Sequence, residues 1–271
     1  MKHFLRNILI ALFSVTGVTF LYRARMRKKG PLVRVVVFHD VTDADWFFKS
    51  VTLFVKKYHV LTPQEFIERK FNPEKINILI TFDDGYASWV TTCLPILRKL
   101  QCRGVFFLNS GLPDIVQDEN ARLNFVRENL KLQTSRKTIS WEEVRLLCES
   151  GHTLGGHTKT HRRLSELQEE VQKAEITEDK KRIETMLGTQ VSLFAYPFGN
   201  VGDFIPQSAL CAQKAGYTHV FSTESGFVDT TSGNFNIPRI CLEDNGADSV
   251  LTRWVEGGHD LYTKIKYLCV R

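Results

Sequence analysis

The chain has 271 residues, of which 43% are apolar and 24% are charged, and this ordinary globular composition excludes wholesale disorder. The formal net charge of +6 is due to residues 1–30, which hold seven basic residues and no acidic one. The remainder of the chain has 29 basic and 30 acidic residues, so we do not expect a nucleic-acid-binding domain, which needs a basic face.

Residues 1–30 are predicted to form an N-terminal membrane helix with a basic flank, ahead of one domain over residues 31–271. Between Ile8 and Tyr22 the chain carries no charge, and this apolar segment approaches the roughly 20 residues that a spanning helix needs. A cleaved signal peptide is the alternative, but no small-residue cleavage site of the A-x-A kind is present, which favours an uncleaved anchor. The basic residues after the segment favour a cytoplasmic position for the domain.

Strands and helices are predicted to alternate along the domain. In chain order, strands are predicted at 32–38, 76–82, 104–108, 152–156, 191–196, 218–222 and 235–240, with a short extended step at 59–61. Helices are predicted at 46–58, from Thr62 onward, and at 87–101, 140–150, 165–187, 206–215 and 247–257, with a long polar loop at 111–137. About seven strand–helix units predict the α/β class and a single distorted (β/α)7-type barrel, closed or nearly closed.

Two adjacent carboxylates, Asp83 and Asp84, stand at the end of the second predicted strand, within T-F-D-D-G. In parallel α/β folds the carboxyl ends of the strands are where active sites assemble. Two neighbouring carboxylates repel each other, so a buried pair usually needs a cation. The alternative is an ordinary turn, because Asp-Gly is common in turns.

His157 and His161 follow the predicted strand at 152–156. Histidines at i and i+4 share one side of a helical turn, a spacing that suits one metal ion. The glutamate of the H-E-x-x-H protease motif is absent, so the third ligand and the base must come from elsewhere, and Asp83 and Asp84 supply candidates for both. The alternative is a pair of surface histidines in a polar loop.

Three further segments place polar groups after strands and complete a recognisable order. The whole set is F-H-D-V at 38–41, T-F-D-D-G-Y at 81–86, H-T-K-T-H at 157–161, A-Y-P-F-G at 195–199 and I-P-R-I at 237–240. In this order the segments resemble the polysaccharide deacetylase family of carbohydrate esterases, over about residues 33–240. H-D-V and Y-P-F-G are similar to the branch that acts on poly-N-acetylglucosamine and related envelope glycans.

The resemblance implies a metal-dependent hydrolase that removes N-acetyl groups from amino sugars of a cell-envelope polysaccharide. Asp84, His157 and His161 would bind one divalent metal ion, commonly Zn²⁺, although the same ligands accept nickel, cobalt or iron. Asp83 would be the general base. The segment Tyr196, Pro197 and Phe198 would contact the substrate, with a backbone N–H near Phe198 stabilising the oxyanion.

Two departures from the family pattern leave roles to be filled. Many relatives have an arginine that orients the base close to the segment that includes Ala195, and this chain has none there; Arg239 is its candidate replacement. Many relatives also supply a general acid from a late L-x-H motif, which His259 does not match. The H-D-V branch suggests His39 as the acid instead.

The predicted partners are an N-acetylated glycan and a membrane. The resemblance implies a catalytic domain outside the cytoplasm, whereas the charges around the apolar segment favour the cytoplasmic side. This charge asymmetry keeps open a deacylase or deformylase of a lipid-linked sugar at the cytoplasmic membrane face. A non-catalytic glycan-binding barrel is the alternative from another class, and a single short apolar segment disfavours a structural membrane protein.

Overall fold

The computed structural model describes residues 2–133, 136–231, 233–242 and 248–269. The strands are β1 Val33–Phe38, β2 His59–Val60, β3 Asn77–Asp84, β4 Val105–Leu108, β5 Thr153–Gly156, β6 Leu193–Ala195, β7 His219–Phe221 and β8 Arg239–Cys241. The helices are α1 Lys2–Val15, α2 Val18–Arg27, α3 Ala44–Lys57, α4 Pro63–Ile67, α5 Leu94–Lys99, α6 Gly111–Asp114, α7 Glu119–Glu128, α8 Trp141–Glu149, α9 Glu169–Leu187, α10 Pro206–Lys214, α11 Asp248–Arg253 and α12 His259–Cys269.

The strands form a nearly closed parallel barrel. Hydrogen-bonded neighbours run in the order β7-β6-β5-β4-β3-β1-β8, with the short β2 pairing with the start of β3. The two ends of this order meet where Ile237, just before β8, pairs with Phe221 of β7. The amide of Ile237 donates to Val220, and the amide of Ser222 donates to Ile237. The seven main strands confirm the predicted (β/α)7 architecture.

Alternate residues of the strands fill the barrel, because successive side chains of a strand point to opposite faces. One apolar cluster is shared by the inner faces of the strands and by the segment that follows β2; its buried members are Val33, Val35, Leu61, Phe66, Leu79, Val105, Phe107, Leu193, Ala195, Phe221 and Ile237. A larger cluster lies between the strands and the surrounding helices. Asp83 lies on the same side of β3 as Leu79, and Arg239 lies on the same side as Ile237, so both side chains point into the barrel. Arg239, the first residue of β8, is level with Leu79, and its side chain reaches Asp83 near the end of β3.

The N-terminal segment differs from the predicted single membrane helix. Within the described residues no single helix is long and apolar enough to cross a membrane; by length and composition alone, the pair Leu5–Val15 and Val18–Arg27, bent by 70°, would qualify. The bend falls at Gly17, whose φ of +77° a residue with a side chain adopts only with strain. Both helices pack against the C-terminal helices, and the buried side chain of Ile10 belongs to the main apolar cluster. The division of the chain at residue 30 stays a prediction.

Other differences from the predicted elements lie at helix boundaries. The helix expected at 87–101 is a π-helical turn, Trp89–Cys93, followed by α5. Pro95 in the first turn of α5 has no N–H to donate to the preceding turn, which accounts for the change of helix type. The loop expected at 111–137 contains α6 and α7, and the closing helix is the series α11, a π-helical turn and α12; residue 247 lies outside the described residues.

Candidate metal centre and active site

Asp83 lies inside the barrel near the end of β3, with both of its carboxylate oxygens bound to Arg239. Nη1 of Arg239 is 2.7 Å from Oδ1, and Nη2 is 2.6 Å from Oδ2. Nε of Arg239 donates to the carbonyl of Ser222 at 2.9 Å, and its guanidinium lies 5.3 Å from the centre of the Phe107 ring. Both partners of the ion pair are buried. A bidentate pair of this kind holds the carboxylate in one orientation.

Asp84, the last residue of β3, directs its carboxylate toward the loop after β5. Its Oδ1 lies 3.4 Å from Nε2 of His157 and 3.3 Å from Nε2 of His161. Burial alone would raise the pKa of Asp84, but the contact with His157 and the charges of His161 and His39 hold it well below its usual range. The φ of Asp84 is +86°, a strained value of the kind that clusters at functional sites.

His157 and His161 converge through an irregular loop, so the expectation that they share one side of a helical turn was wrong. Thr158 and His161 both have positive φ, +64° and +55°, which a regular right-handed helical turn does not contain. Nδ1 of His157 is 2.7 Å from the carbonyl of Ala195, and Nδ1 of His161 is 3.1 Å from that of Asn129. A carbonyl only accepts, so each Nδ1 carries a proton and each Nε2 faces Asp84.

The geometry of Asp84, His157 and His161 fits a divalent metal ion. One ligand atom from each lies within 4.8 Å of the other two, and all three residues are buried. Two imidazole nitrogens and one carboxylate oxygen are ligands that zinc accepts, and three protein ligands leave a position open for a reacting group. The backbone carbonyls on Nδ1 orient the rings, as second-shell partners of metal-bound histidines do.

The charge of the neighbouring side chains also matches a cation. Burial would lower the pKa of His157, but Asp83 and Asp84 raise it above its usual value. Burial lowers the pKa of His161 to about 4. Two buried carboxylates beside two imidazoles therefore form an electronegative pocket.

His39 lies half-buried just after β1, at the rim of the barrel beside this pocket. It lines a cavity of about 440 Å³ together with Asp40, Tyr86 and Arg136. The pKa of the Tyr86 hydroxyl is raised, first by burial and then by the nearby carboxylate of Asp84. His39 and the metal-binding set therefore open onto the same end of the barrel.

The segment after β6 differs from residue to residue in whether its backbone N–H is free to contact a substrate. It consists of Tyr196, Pro197 and Phe198. The amide of Tyr196 donates to Phe221, and its buried ring stacks on Phe204 at 4.1 Å, so Tyr196 has no amide left for a substrate. Pro197 has no N–H. Phe198, at φ +60°, is the centre of a γ-turn closed by the Gly199 amide on the Pro197 carbonyl at 2.6 Å.

The ring of Phe198 lies against His161, with a centroid distance of 4.7 Å. Its amide makes no hydrogen bond to any part of the chain that the structure describes. A second cavity, of about 480 Å³, begins here and is lined by Phe198, His161 and Arg163 among others. The Phe198 amide is therefore the one group of this turn available to an oxyanion.

Two acidic residues of α9 support the histidine loop, and sequence reasoning missed both. Asp179 is buried and accepts the amides of His157 and Ser110, both at 2.9 Å, while burial raises its pKa to about 7. Glu175, one turn earlier, accepts the amide and the hydroxyl of Thr160. In the sequence, α9 is rich in charged residues, so these two acidic residues would be expected to face solvent. One signal in the sequence could have indicated their burial. Glu175 and Asp179 are four residues apart, on the side of α9 that also carries the apolar Ile176 and Ile183.

The sequence of this barrel matches a known family over its central region. The family model for polysaccharide deacetylase matches residues 70–220, more than half of the chain. The chain belongs to the polysaccharide deacetylase family. The assignment made from the motifs, including the hydrolase class, is thereby confirmed.

Similar proteins include named polysaccharide deacetylases. The Staphylococcus aureus poly-beta-1,6-N-acetyl-D-glucosamine N-deacetylase is 25% identical over 217 residues, which cover 79% of this chain and 71% of the relative. YxkH of Bacillus subtilis, which is described as a polysaccharide deacetylase, is 23% identical over 202 residues. These residues cover 73% of this chain. The chain spans 64% of the length of YxkH.

Solved structures show the same fold at low sequence identity. The deacetylase PplD of Streptococcus pyogenes has a TM-score of 0.69 at 18% identity, covering 83% of this chain and 99% of PplD. A de-N-acetylase of Aggregatibacter actinomycetemcomitans has a TM-score of 0.68 at 18% identity, with 83% and 100% covered. IcaB of Ammonifex degensii has a TM-score of 0.64 at 20% identity, with 84% and 98% covered.

Proposed function

We propose that this member of the deacetylase family removes N-acetyl groups from the amino sugars of a poly-N-acetylglucosamine-like polysaccharide of the cell envelope, using one divalent metal ion. The observation that carries the proposal is the placement of Asp83. Its Oδ2 is held by Arg239 and lies 3.9 Å from Nε2 of His157, beside the three candidate ligands. A base and a metal-binding set thus share one buried pocket.

Asp84, His157 and His161 would hold the metal ion, and zinc, nickel, cobalt and iron are all compatible with these ligands. When bound, such an ion lowers the pKa of coordinated water and polarises the acyl carbonyl. Asp83 would accept the proton of the attacking water through Oδ2, the oxygen that faces His157. Arg239 would keep that oxygen in place.

The remaining steps fall to residues at the rim. The amide of Phe198 would donate to the oxygen of the tetrahedral intermediate, because no backbone partner in the described chain occupies it. His39 would protonate the leaving amine from the cavity that it lines. Position supports both of these roles, because the Phe198 amide and His39 border the pocket that contains Asp83 and Asp84.

A polymeric substrate is supported by the two cavities at this end of the barrel. His161 and Phe198 line one, and His39 and Tyr86 line the other. Asp84 is in contact with residues of both, so the reacting centre lies between them. A glycan chain would extend from the reacting sugar into both cavities.

The test is amine release from N-acetylglucosamine oligomers by the full chain, before and after chelation and after zinc is restored. Asp83→Asn is expected to bind metal and to lose turnover, whereas Asp84→Asn is expected to lose the metal itself. Asp229→Asn, at a surface ion pair, is the matched control. Full activity in chelator, or in Asp83→Asn, would contradict the proposal.

A further inference from the structure

The N-terminal helices present an apolar surface that the rest of the chain leaves uncovered. Seven of the twelve large apolar side chains that are exposed in the described residues belong to α1 and α2: Leu5, Ile8, Leu12, Val15, Val18, Phe20 and Leu21. Val15 is 83% exposed, and Phe20 and Leu21 are 65% and 66% exposed. Exposed apolar side chains concentrated on two adjoining helices mark an interaction site.

The opposite side of both helices is attached to the barrel, so this surface is held in place. The hydroxyl of Tyr22 donates to Asp260 at 3.0 Å. Arg23 binds both the carboxylate and the carbonyl of Glu256. On α1, the guanidinium of Arg6 stacks over the Trp254 ring at 4.4 Å. The two helices therefore lie along the body as a bent pair rather than extending from it as one rod.

The charged residues of the N-terminal segment itself all have one sign. No acidic residue occurs in residues 1–30. Arg25 and Lys28 are exposed near the end of α2, as are Arg27 and Lys29. Arg27 binds the carbonyls of residues 73 and 74, and Lys29 binds an aspartate, which leaves Arg25 and Lys28 to meet an external partner.

We propose that α1 and α2 dock on the surface of an anionic lipid bilayer, lying in the headgroup region without crossing it. Helices with an apolar face and a basic polar face bind at this depth. Anionic headgroups would neutralise Arg25 and Lys28, while Phe20, Leu21 and the apolar residues of α1 enter the acyl boundary. Crossing the bilayer would instead require Ile10 and Tyr22 to leave the protein core.

Docking in this way would place the membrane beside the candidate active site. Leu5 and Leu9 line a cavity of about 600 Å³ together with Thr223. The hydroxyl of Thr223 donates to the carbonyl of Phe198 at 2.7 Å, next to the amide assigned to the oxyanion. The docking surface therefore adjoins the rim of the barrel. The proposal concerns binding alone and does not depend on the reaction at that rim.

The first test is co-sedimentation of the full chain with vesicles of phosphatidylcholine, alone or mixed with phosphatidylglycerol. Binding is expected only to the mixed vesicles. Phe20→Ser combined with Leu21→Ser is expected to weaken it by about tenfold or more, because two apolar side chains no longer leave water. Val201→Ser combined with Leu210→Ser, at exposed apolar positions elsewhere, is the matched control and should bind as the unmodified chain does.

Charge is tested separately with Arg25→Gln combined with Lys28→Gln. This variant is expected to lose most of the preference for the anionic vesicles, and added salt should have the same effect on the unmodified chain. Since all four substituted positions, three in α2 and Lys28 just after it, are exposed, the thermal unfolding midpoint should not change. Equal binding to both kinds of vesicle, or binding unaffected by either pair of substitutions, would overturn the proposal.

Two other results would contradict docking on the membrane surface and would indicate a different role for α1 and α2. A protease-sensitive tag ahead of Met1 should be cleaved from outside sealed membrane vesicles together with the body of the protein; protection of the tag alone would indicate a spanning segment. A dimer in solution that the Phe20→Ser and Leu21→Ser pair dissociates would indicate that a second copy covers the surface. Deacetylase activity on soluble oligomers should be unchanged in these variants.

Discussion

Asp83 and Arg239 are 156 positions apart in the chain and share two hydrogen bonds inside the barrel. The order of the strands makes this possible, because β1 pairs with both β3 and β8 and so brings Arg239 within reach of Asp83. The motifs suggested Arg239 only as a replacement for an arginine missing elsewhere. The role of Arg239 in orienting the base stays a prediction. The ion pair identifies the atoms involved, namely the two guanidinium nitrogens and the two oxygens of Asp83.

Arg239→Lys is expected to lower kcat/KM about 10²-fold while metal affinity is retained, since one ammonium group cannot hold both oxygens of Asp83. Steady-state kinetics and metal titration would measure the two effects. Arg34→Lys is the matched control, because Arg34 forms an equally buried bidentate pair outside the site. That variant should lose stability and keep kcat. Unchanged kcat/KM in Arg239→Lys would remove Arg239 from the mechanism.

His152 provides a pH dependence that is independent of the metal site. Its Nδ1 accepts the amide of Gly104 at 3.1 Å, which requires the neutral ring. Burial, together with the charges of Arg103 and Arg98, lowers its pKa from 6.5 to about 4. In the unfolded chain the ring binds a proton below pH 6.5, so folding loses free energy as the pH falls toward 4.

His152→Gln should therefore have a flatter stability profile on the acid side. Between pH 6.5 and pH 4 the free energy of unfolding of the unmodified chain should fall by up to roughly 3 kcal/mol more than that of the variant, at about 1.4 kcal/mol per pKa unit. Urea unfolding at several pH values would measure the difference. Parallel profiles would show that His152 titrates normally in the folded protein.

At the scale of elements, β5 ends in two glycines because other parts of the fold approach it closely. A Cβ on Gly156 would lie 2.1 Å from the hydroxyl of Tyr217 and 2.7 Å from Oδ2 of Asp179. A Cβ on Gly155 would lie 2.5 Å from the ring of Phe107 inside the barrel. The strand therefore carries His157 into the site between α9 and the barrel interior with no room for side chains.

Gly156→Ala is expected to cost roughly 1–3 kcal/mol of stability through overpacking. Because the displaced Asp179 also holds the amide of His157, metal affinity should fall as well. Thermal unfolding and metal titration would measure the two effects. Gly233→Ala, at a position with open space around the added carbon, is the control and should change neither. Normal metal affinity in Gly156→Ala would show that α9 does not position the histidine loop.

At the scale of the whole molecule, Asp260 joins three distant parts of the chain. It accepts two hydrogen bonds from Arg34 of β1, one from Tyr22 of α2 and one from Ser225, which lies after β7. Arg34 and Asp260 are completely buried. The N-terminal helices, the first barrel strand and the last helix therefore meet at one carboxylate.

Asp260→Asn is expected to destabilise the whole protein by about 3–5 kcal/mol, because it leaves the charge of Arg34 buried without its counterion. Urea unfolding would measure the loss. Asp229→Asn removes an exposed ion pair with Lys29 and should change stability by no more than about 1 kcal/mol. A loss in Asp260→Asn as small as that of the control would show that the N-terminal helices are not anchored at this point.

Local signals in the sequence determined the strands, the capping box of Ser140 and Glu143 and the candidate ligands at strand ends, because periodicity and cap chemistry act over a few residues. Only the tertiary structure decided that Arg239 pairs with Asp83, that Asp179 is buried and that the N-terminal segment bends along the body. Those outcomes depend on surfaces supplied by distant parts of the chain. An apolar run has the same composition whether it enters a bilayer or covers Trp254, and only the presence of that partner surface distinguishes the two.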